Sequence, residues 1–324
     1  MPGLGNHHAM LWKSLNGLPP RIIAHRGASG YRPEHTLESF ALAIAQGADA
    51  LEPDLVATRD EVLYARHDVG LARSTDVAWH PEFAQRARVV DGTLDWWITD
   101  FDADEIDTLR AIQPSPERGS QFDRQFGVPR FAQLLKLVQH ANARREKPLV
   151  IDVEIKNPAL FASLGIDVLG ALAADLESHG MTGAQAPVWL ESFDHAFLRR
   201  AFERCGNACF ALLERKADAG ALRELVQWVC GIAPAKHLLW EGGEDSGVVS
   251  EAHAYGLEVH AWTFREDRSP TPFASVREEM DAAFALGVDA LFCDFPDVAV
   301  AARARYDVSE PRSANRFAAV ARPA

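Results

Sequence analysis

Two carboxylates separated by a single residue, Glu52-Pro53-Asp54, sit in a short apolar run, Ala50 to Thr58 (ALEPDLVAT). Side chains two apart on a strand point to one face, so both acids face the same interior if Leu51 and Leu55 face the other way. Paired carboxylates in apolar surroundings are costly unless a cation joins them. Clustered hard oxygens suit a divalent ion such as Mg²⁺ or Ca²⁺. In Leu149 to Lys156 (LVIDVEIK) the same rule puts Asp152, Glu154 and Lys156 on one face, with Glu154 near the strand's end as a third oxygen donor. The plainer reading is that these acids form ion pairs with Arg and Lys.

His25 and Arg26 end the apolar run Arg21 to Gly27 (RIIAHRG), and His67 ends the run Glu61 to Asp68 (EVLYARHD). Two imidazoles flanking a phosphodiester can act as general base and general acid, since their ordinary pKa lies near working pH. The Arg26 guanidinium can fork onto phosphate oxygens. A lone histidine is usually structural; two histidines, an arginine and three acids on one rim carry more weight together.

Elements that could bring these residues together follow from pattern. Thr36 to Gln46 has helical spacing with Thr36 as cap, and Phe131 to Ala143 reads as another helix. Further strands are expected near Val188 to Phe193, Cys209 to Leu213, His237 to Trp240, Glu258 to Phe264 and Ala290 to Cys293, with helices between. Eight alternating units with right-handed crossovers imply a (β/α)8 TIM barrel, whose catalytic groups gather at the strands' C-terminal ends. An open doubly wound sheet is the alternative. Gly70 to Pro129 is too long for a βα connection and carries Trp79, Trp96 and Trp97. The expected organisation is a flexible leader (1–20), one barrel domain (21–305) with a small inserted lobe (70–129) after the second strand, and a loosely ordered tail (306–324).

The net charge of −13 argues against nucleic acid and anionic lipid surfaces as partners. No apolar run approaches the roughly 18 residues of a membrane helix, so stable membrane insertion is not expected. No secretory signal is visible, and cytoplasm is the default expectation. Cys205, Cys209, Cys230 and Cys293 have no spacing that reads as a zinc site or disulfide framework, and buried thiols are expected. Asp100, Asp102 and Asp104 imitate a calcium loop, but the sixth position is Glu105 rather than Gly, so helix capping is the better reading. Nothing in the pattern speaks to oligomeric state.

The runs HRGASGYRPEHTLESF and LEPDLVATRDEVLYARHD, with His25-Arg26-Gly27, Pro33-Glu34-His35-Thr36, Glu52-x-Asp54 and His67-Asp68, resemble the signature of glycerophosphodiester phosphodiesterases. The resemblance continues through Glu154-Ile155-Lys156, Ser192-Phe193-Asp194, Trp262-Thr263-Phe264 and Asp294-Phe295-Pro296-Asp297, over roughly residues 21 to 303. Asp100 to Leu109 looks like part of the insertion of longer bacterial members. The resemblance implies a barrel with a divalent ion held by Glu52, Asp54 and Glu154, catalysis by His25 and His67, and Arg26 and Lys156 near the phosphate. It implies hydrolysis of a small phosphodiester to sn-glycerol 3-phosphate and an alcohol. Trp262 is the expected glycerol-side contact. Two departures stand out: Glu191 occupies a position where relatives often carry Gln, placing another acid near substrate and metal, and Pro53 removes a ladder hydrogen bond and suggests a bulge. Competing readings are a lysophospholipase D or sphingomyelinase D-like enzyme on the same barrel, and an inactive barrel that binds a phosphorylated metabolite.

Overall fold

Short apolar runs bounded by Gly, Pro, Asn or Asp supply the strands. The computed structural model describes residues 12–90, 92–268 and 272–308. The first strands are β1 (Arg21–His25), β2 (Ala50–Glu52), β3 (Asp54–Ala57) and β4 (Leu63–Ala65), followed by a hairpin of β5 (Arg88–Val90) and β6 (Thr93–Asp95). Then come β7 (Val150–Ile155), β8 (Val188–Ser192), β9 (Ala208–Leu213) and β10 (Gly231–Pro234). A second hairpin, β11 (Trp240–Glu241) and β12 (Glu244–Asp245), precedes β13 (Glu258–Phe264) and β14 (Ala290–Cys293).

The main sheet runs β2-β1-β14-β13-β10-β9-β8-β7-β3-β4, and β2 also pairs with β7, which closes it. Pro53 lacks the N–H that would continue the ladder, so β2 and β3 form one barrel strand broken at that residue. Counted this way, the described residues build eight parallel strands, with β4 antiparallel on β3. This is the (β/α)8 barrel. Ile23, Ala50, Leu212, Ala233, Ala290 and Phe292 fill its interior, while a larger apolar layer lies between strands and helices.

The helices are α1 (Leu37–Ala45), α2 (Ala103–Ile106), α3 (Phe131–Asn142), α4 (Pro158–Ser163), α5 (Val168–Ser178), α6 (His195–Cys205), α7 (Ala219–Leu225), α8 (Val248–Ala254), α9 (Val276–Leu286) and α10 (Pro296–Val308). Thr36 caps α1 by accepting from the Ser39 N–H, as its position before an apolar face implies. Asp194 and Asp218 cap α6 and α7 in the same way. Among the described residues no helix is long and apolar enough to cross a membrane.

One expectation needs correction. The sixth strand is β10, Gly231–Pro234, and the residues expected there form a 3₁₀ turn, Lys236–Leu239, followed by β11. Gly and Pro at the ends of β10 resemble turn punctuation, yet Gly231 is required by packing: a Cβ there would lie 2.4 Å from the Glu258 carbonyl oxygen. Most of the ranges expected to be leader and tail, residues 1–11 and 309–324, lies outside the described residues; Trp12 is buried with its ring 5.7 Å from Phe284 and 5.0 Å from Tyr306.

Between β4 and α3 the chain makes short 3₁₀ turns, the β5–β6 hairpin and α2. Phe83, Trp96, Ile98, Phe101, Ile106 and Leu109 are buried there and join the apolar layer of the barrel. The Trp96 indole donates to the Phe83 carbonyl, whereas Trp79 is exposed. Within the acid run, Asp102 pairs with Arg59 and its N–H donates to Glu105 at the start of α2, in line with the capping reading.

Candidate active site

Register places the acids. His25 lies beside Glu52, Asp54 beside Glu154, and Glu154 beside Glu191, so four neighbouring barrel strands present one row of polar residues. One oxygen from each of Glu52, Asp54 and Glu154 lies within 4.8 Å of the others, and all three side chains are buried. The break at Pro53 does not separate Glu52 from Asp54.

Arg26 follows β1 with a left-handed backbone (φ 59°), and Gly27 continues it at φ 82°. A Cβ on Gly27 would stand 2.6 Å from Ser39 Oγ and 2.8 Å from the Ser39 carbonyl carbon, so only glycine lets this turn seat against α1. The turn aims Arg26 twice. Its backbone N–H donates to Glu52 Oε2 at 3.0 Å, and its guanidinium lies 3.1 Å from both Asp54 Oδ2 and Glu34 Oε2. The Asp54 contact is an ion pair without hydrogen-bond geometry, since Arg26 Nε has no acceptor in line. Lys156 Nζ stands 2.7 Å from Glu154 and 3.7 Å from Asp54.

These cations do not balance the acids. Arg26 and Lys156 hold Asp54 well below the usual carboxylate range despite its burial. Burial and the Asp54 charge push Glu52 well up, and the same two causes raise Glu154 to about 8. Glu191 is also raised, by burial and by the neighbouring acids, and one of its oxygens has no partner. Three buried carboxylates that resist simultaneous charging are the donor set a hard divalent cation satisfies, so the residues present fit such an ion.

Each candidate histidine is oriented by a carboxylate. His25 Nδ1 is 2.6 Å from Asp294 Oδ1, at the end of β14, and His67 Nδ1 is 2.6 Å from Asp68 Oδ1. A carboxylate only accepts, which assigns a hydrogen to Nδ1 of each ring and leaves Nε2 as the position open to proton exchange. Burial, then Arg26, lowers His25 to about 4 even though Asp294 opposes the shift. Burial works against the charge of Asp294, but His25, Arg265 and Arg118 outweigh it and hold the carboxylate far below its ordinary range. His67 follows Arg66, whose backbone N–H donates to the Asp54 carbonyl at 2.9 Å, so this partly exposed ring leaves β4 at the level of the acids.

Trp262 donates its indole N–H to the Ala233 carbonyl at 2.8 Å and meets Phe193 edge-on at 5.7 Å. Phe193 is 40% exposed, with Lys156 Nζ 5.7 Å from its ring centre. Trp262 thus reaches the polar row through an aromatic neighbour. Sequence reasoning gave no role to Glu34, His35, Phe193 or Asp294, although each lies inside a run quoted for the resemblance. Arg118 and Arg265, which contact Asp294 at 2.6 and 3.0 Å, had no signal of any kind.

A model described as the glycerophosphoryl diester phosphodiesterase family matches residues 25–298. A glycerophosphodiester phosphodiesterase of Haemophilus influenzae is 31% identical, over 93% of this chain and 94% of its own length. One from Arabidopsis thaliana is 27% identical over 87% of this chain and 86% of its own. Among solved structures, an Oleispira antarctica phosphodiesterase in complex with the product sn-glycerol-3-phosphate superposes with a TM-score of 0.67 at 22% identity, covering 89% of this chain and 98% of that one. A glycerophosphodiester phosphodiesterase of Agrobacterium tumefaciens gives 0.62 at 20% identity, covering 87% and 99%. At such identities the structural likeness speaks for the barrel fold. The matched span begins at His25 and ends just past β14, taking in the whole polar row, and on that span and the Haemophilus similarity the chain belongs to the glycerophosphoryl diester phosphodiesterase family.

Proposed function

We propose that this protein hydrolyses glycerophosphodiesters, such as glycerophosphocholine or glycerophosphoethanolamine, to sn-glycerol 3-phosphate and an alcohol. The observation that carries the reading is the meeting of Glu52, Asp54 and Glu154 within 4.8 Å, beside two histidines each held by a carboxylate. Glu52, Asp54 and Glu154 are the residues that would hold one divalent cation, Mg²⁺ or Ca²⁺. When bound, such an ion supplies charge neutralisation at the phosphoryl oxygens.

The remaining work falls to the chain's own groups. Arg26 and Lys156 place positive charge beside the non-bridging oxygens of the diester, at a site already depleted of water by burial. His25 and His67 divide the proton transfers: one ring enters neutral and its bare Nε2 takes the proton of the attacking nucleophile, while the other enters as imidazolium and gives its Nε2 proton to the leaving alcohol oxygen. Asp294 and Asp68 hold the Nδ1 hydrogens, so each ring acts through Nε2 alone. Trp262, with Phe193, forms the apolar wall on the glycerol side, and Glu191 adds a buried acid behind Glu154. One barrel domain carries all of these residues, with the 70–129 segment as its inserted lobe.

The test is release of glycerol 3-phosphate from several headgroup diesters, with and without chelator, and with His25→Ala and His67→Ala. Release that needs both histidines and added Mg²⁺ or Ca²⁺ is the expected result. Cleavage of lysophospholipid in place of glycerophosphodiesters, or inactivity with metal present, would overturn the reading.

A further inference from the structure

We infer that Arg118, contributed by the 70–129 segment, is a positioning residue for the hydrolytic reaction: it grips one oxygen of Asp294 so that the other faces His25. The inference rests on the phosphodiesterase reading above. Asp294 divides its carboxylate cleanly. Oδ1 accepts from His25 Nδ1 at 2.6 Å, while Oδ2 accepts from Arg118 Nη2 at 2.6 Å and from Arg265 Nε at 3.0 Å.

A carboxylate at the end of a two-bond side chain turns easily about its last torsion, which is broad and roughly two-fold. Two cations converging on Oδ2 from different parts of the chain remove that freedom, and the imidazole is aligned as a consequence. Arg118 is the firmer of the two. Its side chain is 7% exposed against 26% for Arg265. Its guanidinium is itself held by Asp267, with Nε to Oδ2 at 2.6 Å and Nη2 to Oδ1 at 3.2 Å, and it lies 5.4 Å from the Phe295 ring centre. A planar fork is needed to satisfy both carboxylates together.

The guanidinium of Arg118 is engaged by Asp267, Asp294 and Phe295, and not by Glu52, Asp54, Glu154, Arg26 or Lys156, the groups proposed to hold metal and phosphate. Its removal therefore disturbs the proton-transferring ring and leaves substrate binding alone. The segment between β4 and α3 accordingly does more than cover the barrel: docking it completes the support of His25.

The experiment is steady-state hydrolysis of glycerophosphocholine at saturating Mg²⁺ by the wild type, Arg118→Ala, Arg118→Lys, Asp294→Asn and the Arg118→Ala/Asp294→Asn double variant, with a thermal melt of each. Misplacing a catalytic group costs roughly 10- to 100-fold, and that fall in kcat is expected for Arg118→Ala, with KM nearly unchanged. Arg118→Lys restores part of it. Groups acting as one unit are non-additive, so the double variant should be no slower than Asp294→Asn alone. If Arg118→Ala melts below the assay temperature, the same cycle is run with Arg118→Lys.

Wild-type kcat in Arg118→Ala, a loss confined to KM, or a loss that multiplies with that of Asp294→Asn overturns this inference while leaving the phosphodiesterase reading intact. An inactive wild type overturns that reading and this inference with it.

Discussion

His35 Nε2 meets Asp54 Oδ2 at 3.0 Å, from a backbone held left-handed at φ 63°. Few residues other than glycine accept that conformation, and His, Asn and Asp are among those that do so most readily. The contact fixes Asp54 by one oxygen and leaves Oδ1 to the side of Lys156.

Partners that orient a metal-binding carboxylate typically contribute 10- to 100-fold to metal affinity. His35→Ala should therefore raise the half-saturating concentration of Mg²⁺ or Ca²⁺ by about that factor, with kcat at saturating metal falling less. Titration of activity against free metal checks it. An unchanged metal requirement would mean that His35 only packs.

An ion that binds the folded state alone adds about 2.7 kcal/mol at a hundredfold excess over its dissociation constant. For the wild type, chelation should lower Tm by several degrees, and adding back the cation should restore it. Glu154→Gln should show less of this dependence, because it removes one of the three carboxylate charges gathered there while keeping the side chain's shape. A wild-type melt indifferent to chelator would leave the acidic cluster without a resident ion.

At the opposite end of β13, Glu258 accepts from Arg21 at 3.1 Å, from His260 at 3.2 Å and from Asn16 at 3.1 Å. Burial alone would raise this carboxyl, but His260 and Arg21 win and bring it from 4.5 down to about 2. A depressed folded-state value contributes stability above the unfolded pKa and loses it as pH falls, here between 4.5 and about 2. Glu258→Gln should be destabilised by about 1 to 3 kcal/mol at pH 7, with the gap to wild type narrowing as pH falls through that window. Urea unfolding at neutral and acid pH measures it. A gap independent of pH would contradict the assignment.

Gly231 starts β10 with no room for a methyl group: a Cβ would meet the Glu258 carbonyl oxygen at 2.4 Å and the Phe210 ring at 2.8 Å. Overpacking of this kind costs about 1 to 3 kcal/mol. Gly231→Ala should lower the urea midpoint by a corresponding amount without changing the metal requirement. A neutral substitution would show that β9 and β13 can part to admit it.

Local pattern carried much of the architecture. The α1 cap at Thr36, the interruption at Pro53 and the bounds of β13 and β14 were all readable, because caps, proline and apolar runs act over a few residues. The sixth strand was misplaced because β10 is four residues long and closed by Gly and Pro, whose meaning depends on what packs against them. The packing of Trp12 had no local signal, because its partners, Phe284 and Tyr306, belong to the far end of the chain.

By itself the sequence determined the alternation of strands and helices, the same-face pairing of Glu52 with Asp54, and the presence of two histidines at strand ends. Those features depend on periods of two and 3.6 residues and on short motifs. Only the tertiary structure decided which acid stands beside which, and what aligns His25. Asp294 lies 269 residues from His25 and 176 from Arg118, and barrel closure alone brings them together. No local rule encodes a contact that depends on the last strand meeting the first.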